Sequence, residues 1–131
     1  MPHSILLVDD ELHILRAAEF KFRRAGFDVR CAYDGEEAWS LIEESLPELL
    51  ITDYQMPRLD GLELIKRLRA NQATEDLPVI MLTAKSFEIS REEIQREHNV
   101  AAIFSKPFSP REILRCATEL LENGVCESPA Y

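Results

Sequence analysis

A chain of 131 residues that is 46% hydrophobic and 30% charged is long enough to bury a core and short enough to be a single soluble domain. Its net charge of −9, from 24 acidic and 15 basic residues, argues against a nucleic-acid partner, because such proteins need basic surface to displace counterions from phosphates. No apolar run approaches the ~18 to 20 residues of a membrane span, and "MPHSILLVDDE" carries acids where a signal peptide has its apolar centre, so a cytoplasmic protein with no membrane partner is expected.

The predicted elements alternate along the chain. "SILLVD" (Ser4 to Asp9) is a short, buried strand, followed by a helical stretch with Ile14, Leu15, Ala18 and Phe22 on one face. "DVRCA" (Asp28 to Ala32) is the second strand, and Ala38, Leu41 and Ile42 mark the second helix. "LLIT" (Leu49 to Thr52) precedes a helix with Leu62, Ile65 and Leu68 on its apolar face. "PVIMLT" (Pro78 to Thr83) leads to "KSFEISREEIQREHN", a helical stretch that offers little beyond Ile94 to bury and is therefore expected to dock loosely. "AAIFS" (Ala101 to Ser105) is the fifth strand, and Ile113, Ala117, Leu120 and Leu121 line the last helix.

Helix boundaries carry their own signals. Asp34 with Glu37, Ser90 with Glu93, and Ser109 with Glu112 have capping-box spacing, and Pro110 falls at a first helical position. Gly26 and Asn99 suit the left-handed conformation that closes a helix. Five strand and helix repeats predict a five-stranded parallel sheet with five helices on both faces, reached by right-handed crossovers. One domain is expected over residues 1–122, with 123–131 as a short frayed tail.

That topology gives the polar residues positions. Asp9 and Asp10 end the first strand, Asp53 ends the third, Thr83 ends the fourth and Lys106 ends the fifth, so all converge on the carboxyl edge of the sheet, where open α/β folds bind ligands. Crowded carboxylates repel one another and raise their pKa values unless a cation stands among them. A hard divalent ion with oxygen ligands, Mg2+ before Ca2+, suits the three acids, and it keeps waters that a phosphate can replace. The remaining chemistry-bearing residues form no pattern. Cys31, Cys116 and Cys126 are an odd number at wide spacings and read as reduced thiols, two of them in or near the core. His3, His13 and His98 are scattered and read as structural or exposed; Trp39 and Tyr33 read as packing residues beside the second helix.

The acidic pair of "LLVDDE", the "DYQMPRLDG" after the third strand, the "LTA" of Thr83 and Ala84, and the "SKPFSPRE" around Lys106 together resemble the receiver domain of two-component response regulators. The resemblance spans roughly residues 4 to 121 and implies a flavodoxin-like sheet of strand order 2-1-3-4-5. It implies that Asp53 is a phospho-acceptor attacking a phosphohistidine on a histidine kinase or histidine phosphotransfer protein. It further implies that Asp10 ligates Mg2+ directly, Asp9 largely through water, and Gln55 through its backbone carbonyl. Thr83 would bond one phosphoryl oxygen and Lys106 pair with another, with the Lys106–Pro107 bond cis.

Two departures from the family pattern stand out: Ile103 lies where the family commonly has Tyr or Phe, with Phe104 beside it, and Asn99-Val100 replaces Gly-Ala. A stand-alone receiver is expected, one that catalyses its own phosphoryl transfer and autodephosphorylation and is not a turnover enzyme. Its output surface would be the fourth helix, fifth strand and fifth helix, read by a downstream protein or by a second copy of the chain. The alternative is a phosphorylation-independent interaction module of the same fold. A phosphatase using an aspartate nucleophile would want an Asp-x-Asp segment at the first strand, where "VDDEL" has adjacent acids.

Overall fold

The computed structural model describes residues 3–56, 58–83 and 91–126, the side chain of Arg91 excepted. Strands β1 (Ser4–Val8), β2 (Asp28–Ala32), β3 (Leu49–Asp53), β4 (Val79–Thr83) and β5 (Ala102–Ser105) alternate with helices α1 (Leu12–Arg24), α2 (Gly35–Glu44), α3 (Gly61–Arg69), α4 (Arg91–His98) and α5 (Pro110–Asn123). All strand pairs are parallel, in the order β2-β1-β3-β4-β5, as the repeats and the family resemblance predict.

Successive strand side chains point to opposite faces, and here both faces are covered, which is why the strands read as continuous apolar runs. Leu6, Val8, Leu50, Val79, Met81 and Ile103 pack with α2, α3 and α4, while Ile5, Leu7, Leu49, Ile80, Leu82 and Phe104 pack with α1 and α5. In α3 the buried stripe is Gly61, Leu64, Ile65 and Leu68; the expected Leu62 is half-buried instead, one position off the stripe. Tyr33 is 42% exposed, so the packing role read for it does not hold, whereas Trp39 packs against the α2–α3 core under the Arg67 guanidinium.

The helix starts hold wherever the residues are described, but the partners differ from a full capping box: Glu37 accepts from the Tyr33 N–H, and Ser109 caps Arg111 where the spacing predicts Glu112. Asp34 accepts from the Glu37 N–H and Ser109 from the Arg111 N–H, with Pro110 in the first turn of α5; the Ser90 signal lies outside the described residues. Gly26 and Asn99 both have positive φ, 96° and 54°. Asp60 and Glu63 form a full capping box at the start of α3, where "DGLE" has the required spacing.

The C-terminal expectations need two corrections. α5 continues one residue past Glu122, to Asn123, and Gly124 closes it in the left-handed conformation, its N–H donating to the Leu120 carbonyl at 2.9 Å. That reversal carries Cys126 back onto the helix, where it is disulfide-bonded to Cys116 with 5.4 Å between their Cα atoms. Cys31, half-buried on β2, is the free thiol among the described residues. The spacing hid the pairing because a helix cap, and no long-range fold contact, brings the two sulfurs together. Residues 127–131 of the expected tail lie outside the described residues.

Candidate functional site

Four of the five strands deliver a polar residue to the carboxyl edge. β1 stops at Val8, one residue earlier than expected, and Asp9 follows with its N–H still donating to Ala32 of the neighbouring strand. Asp53 ends β3, Thr83 ends β4, and Lys106 follows β5 with its N–H donating to the Thr83 carbonyl at 2.7 Å. Asp9, Asp10 and Asp53 each present a carboxylate oxygen within 4.8 Å of the others; Asp9 and Asp53 are buried and Asp10 faces solvent.

Lys106 stands among these acids. Its Nζ lies 3.1 Å from Asp9 Oδ2, 3.3 Å from Asp53 Oδ1 and 2.6 Å from Glu11 Oε2, and its side chain is only 10% exposed. Glu11 is the residue that reading the sequence missed: it heads α1, its N–H donates to Asp9 Oδ1 at 2.9 Å, and its carboxylate reaches Lys106 across 95 positions of sequence. Its only sequence signal is its place as the third consecutive acid after the first strand.

The charges are unevenly compensated, with four carboxylates to one ammonium. Burial, and then the Asp9 carboxylate, push Asp53 up to about 7, against the opposing pull of Lys106 and with a smaller push from Asp10. Burial also raises Asp9, against the Glu11 N–H and Lys106. Burial alone would lower Lys106, but Glu11, Asp53 and Asp9 hold its ammonium well above the ordinary range, and the same contact lowers Glu11.

The donor set fits a hard divalent cation. Asp9 Oδ2 is buried, meets no hydrogen-bond geometry, and has as its countercharge the Lys106 ammonium 3.1 Å away, which it shares with Asp53 and Glu11, so negative charge is left in excess here. With Asp10 exposed and the other two acids buried, a cation held here would be bound by carboxylates on one side and open to water on the other.

The loop beyond Asp53 keeps this edge accessible. The Tyr54 N–H is shared between Leu82 O, at 2.7 Å, and Asp53 Oδ1, at 3.0 Å, which fixes the carboxylate at the strand end. Gly61 opens α3 directly against this point, and a Cβ there would collide with the Asp53 carbonyl oxygen, so the "DG" that follows the strand answers a close backbone approach. Gln55 lies exposed in this connection. Thr83 is buried at the end of β4, with its neighbour Ala84 outside the described residues. Lys106–Pro107 is cis, as the resemblance implies.

Ile103 and Phe104 are both buried, but on opposite faces of the sheet, Ile103 with the α4 side and Phe104 with the α1–α5 side. Phe104 therefore cannot stand in for an aromatic at position 103 without crossing the sheet.

A family model for the response regulator receiver domain matches residues 5–118. Over 130 residues the chain is 36% identical to the alkaline phosphatase synthesis transcriptional regulatory protein PhoP of Bacillus subtilis (strain 168), covering 99% of this chain and 53% of that protein. The chain thus spans about half the length of this curated relative. Among solved structures it resembles the Francisella response regulator 1452 receiver domain, with a TM-score of 0.82 at 30% identity over 93% of this chain and 98% of that one. It also resembles the chemotaxis response regulator CheY4 of Vibrio cholerae, with a TM-score of 0.82 at 27% identity over 92% of this chain and 99% of that one. Among the described residues, no helix is long and apolar enough to cross a membrane.

Proposed function

The chain belongs to the response regulator receiver family, and from that premise we propose that it accepts a phosphoryl group on Asp53 from a histidine kinase or histidine phosphotransfer protein, with Mg2+ at the acidic cluster. Receiver domains are two-component signalling modules that interact with such kinases and phosphotransfer proteins. The observation that carries the reading is the buried Lys106 ammonium 3.3 Å from Asp53 Oδ1, in a pocket where carboxylates outnumber it.

In the transfer, an Asp53 carboxylate oxygen attacks the phosphorus of a phosphohistidine. The P–N bond breaks, the imidazole leaves with its electron pair, and the product is an acyl phosphate. Phosphoryl transfer of this kind depends mainly on positioning and charge neutralisation. Lys106 supplies the positive charge for one phosphoryl oxygen, and the Thr83 hydroxyl donates to another. Asp10, Asp53 and the Gln55 carbonyl would hold Mg2+, with Asp9 reaching it through water. The bound ion would neutralise charge on the phosphoryl oxygens. Glu11 keeps Lys106 charged and oriented meanwhile; because its side chain is 47% exposed, its carboxylate is rehydrated at low cost when Lys106 turns to the phosphoryl group.

The downstream signal leaves through the surface of α4, β5 and α5, read by another protein or by a second copy of the chain. Acetyl phosphate with Mg2+, followed by intact mass, tests the assignment. We expect one phosphoryl group on the wild type and none on Asp53→Asn. Label persisting on Asp53→Asn at the wild-type level removes the assignment, and no label on either favours the interaction-module alternative.

A further inference from the structure

The disulfide between Cys116 and Cys126 lies outside the phospho-acceptor site. α5 starts beside Lys106 at the carboxyl edge and runs fourteen residues back along the sheet, and Cys116 is its seventh residue, so the bond sits about halfway along the helix, roughly 10 Å from its start at the helical rise. It ties α5 to its own cap, and among the described residues no other element is cross-linked. Without it, Cys116 would remain a small apolar residue, wholly buried with Phe104, Ile113 and Leu120. What the bond holds is the segment that leaves α5 after Gly124.

Three features suit this bond to opening. Cys116 is completely buried, whereas Cys126 is half-buried and lines an open groove with Arg115, Glu119, Asn123 and Val125, so an incoming thiolate can reach only the Cys126 sulfur. Gly124 has φ 81° and nothing within 4 Å of where a Cβ would lie, which leaves room for the cap to swing. Val125, next to the bonded cysteine, is 72% exposed, so moving it uncovers little core. The third cysteine does not compete, because burial pushes the Cys31 thiol up to about 11.

We propose that Cys116 and Cys126 form a reversible thiol–disulfide pair that exchanges with a dithiol and sets whether the segment after α5 is clamped to the helix or released. A dithiol thiolate attacks Cys126 Sγ, the S–S bond breaks, and Cys116 leaves as a thiolate that takes a proton. The second dithiol sulfur then displaces Cys126, so the reductant becomes a cyclic disulfide and the protein gains two thiols.

The test uses the full chain, equilibrated across ratios of reduced to oxidised dithiothreitol. Iodoacetamide trapping with intact mass counts thiols, and amide exchange locates the change. Alkylated in denaturant after quenching, the oxidised protein should carry label at Cys31 alone and the reduced protein at all three cysteines. Faster exchange on reduction should be confined to residues 120–126, with β1 to β5 unchanged and beryllofluoride occupancy of Asp53 the same in both states. Cys126→Ser should show the reduced exchange pattern whatever the redox buffer. Three reactive thiols under oxidising conditions would overturn the proposal. So would global loss of protection on reduction, an unfolded Cys126→Ser, or exchange at 120–126 that ignores redox state.

Discussion

α4 and α5 flank the same edge strand, β5, from opposite faces, and they are held there in opposite ways. α5 buries Ile113, Cys116, Ala117 and Leu120, is capped by Ser109 with Pro110 behind it, and closes on Gly124. α4 buries Ile94. Its far end is tied by polar contacts instead: the Arg69 guanidinium at the end of α3 donates to the carbonyls of His98 and Asn99, at 2.9 and 3.0 Å, and to those of Thr74 and Glu75. The loose docking read from the sequence thus describes the apolar face of α4, while its C-terminal end is anchored. One helix is a permanent part of the core; the other is pinned at one end and weakly packed along its length, which suits an element that must answer a charge change at the neighbouring strand ends.

The contrast is broken most directly by the same truncation on both helices. Ile113→Ala should cost about 3 to 4 kcal/mol, as for a fully buried isoleucine, and Ile94→Ala only about 1 to 2, because its surroundings can close around the gap. Urea denaturation of the two variants measures the difference, and equal losses would abolish it.

Arg69→Ala tests the pinned end and should cost about 2 kcal/mol, since it removes charge-assisted bonds to several carbonyls. Amide exchange should then quicken at the C-terminal end of α4 and leave α5 untouched. Arg69→Lys should recover little, because an ammonium cannot reproduce the guanidinium fork that spans four acceptors.

The two helices also differ in how much of them the sequence reveals. α5 was legible from its apolar period, Ser109 and Pro110, and the placement of Asp9, Asp10, Asp53, Thr83 and Lys106 at one edge of the sheet was legible because strand ends set it without side-chain detail. Glu11 was not, since its partner Lys106 is 95 residues away. Arg69 was not, because backbone carbonyls of loops carry no residue code. The Cys116–Cys126 bond depends on a glycine cap whose direction the spacing of cysteines does not report.

A further effect, set by pH, lies at the site itself. Asp53 has a folded pKa of about 7, above the roughly 3.9 of an unfolded aspartate, so the folded state keeps a proton the unfolded chain has released. Stability from this group is complete below about pH 4 and is lost as pH rises through 7. In chelator, Asp53→Asn should therefore melt higher than wild type at alkaline pH, and the gain should vanish on acidification. Millimolar Mg2+ should raise the wild-type melting temperature by linkage and leave Asp53→Asn less responsive. Scanning calorimetry across pH, with and without the metal, checks both.

The central claim is that occupancy at Asp53 is read through α4 while α5 stays fixed. Hydrogen exchange with and without beryllofluoride and Mg2+ measures it, with adduct formation at Asp53 verified in parallel. The expected carrier is the connection between β4 and α4, residues 84–90, which lies outside the described residues and continues directly into α4. Protection should change from residue 84 through Phe104 and remain constant along Pro110–Asn123, and Ile103→Ala should alter packing without abolishing the response. Unchanged protection over residues 84–104 with Asp53 occupied, or a change confined to α5, would contradict the account.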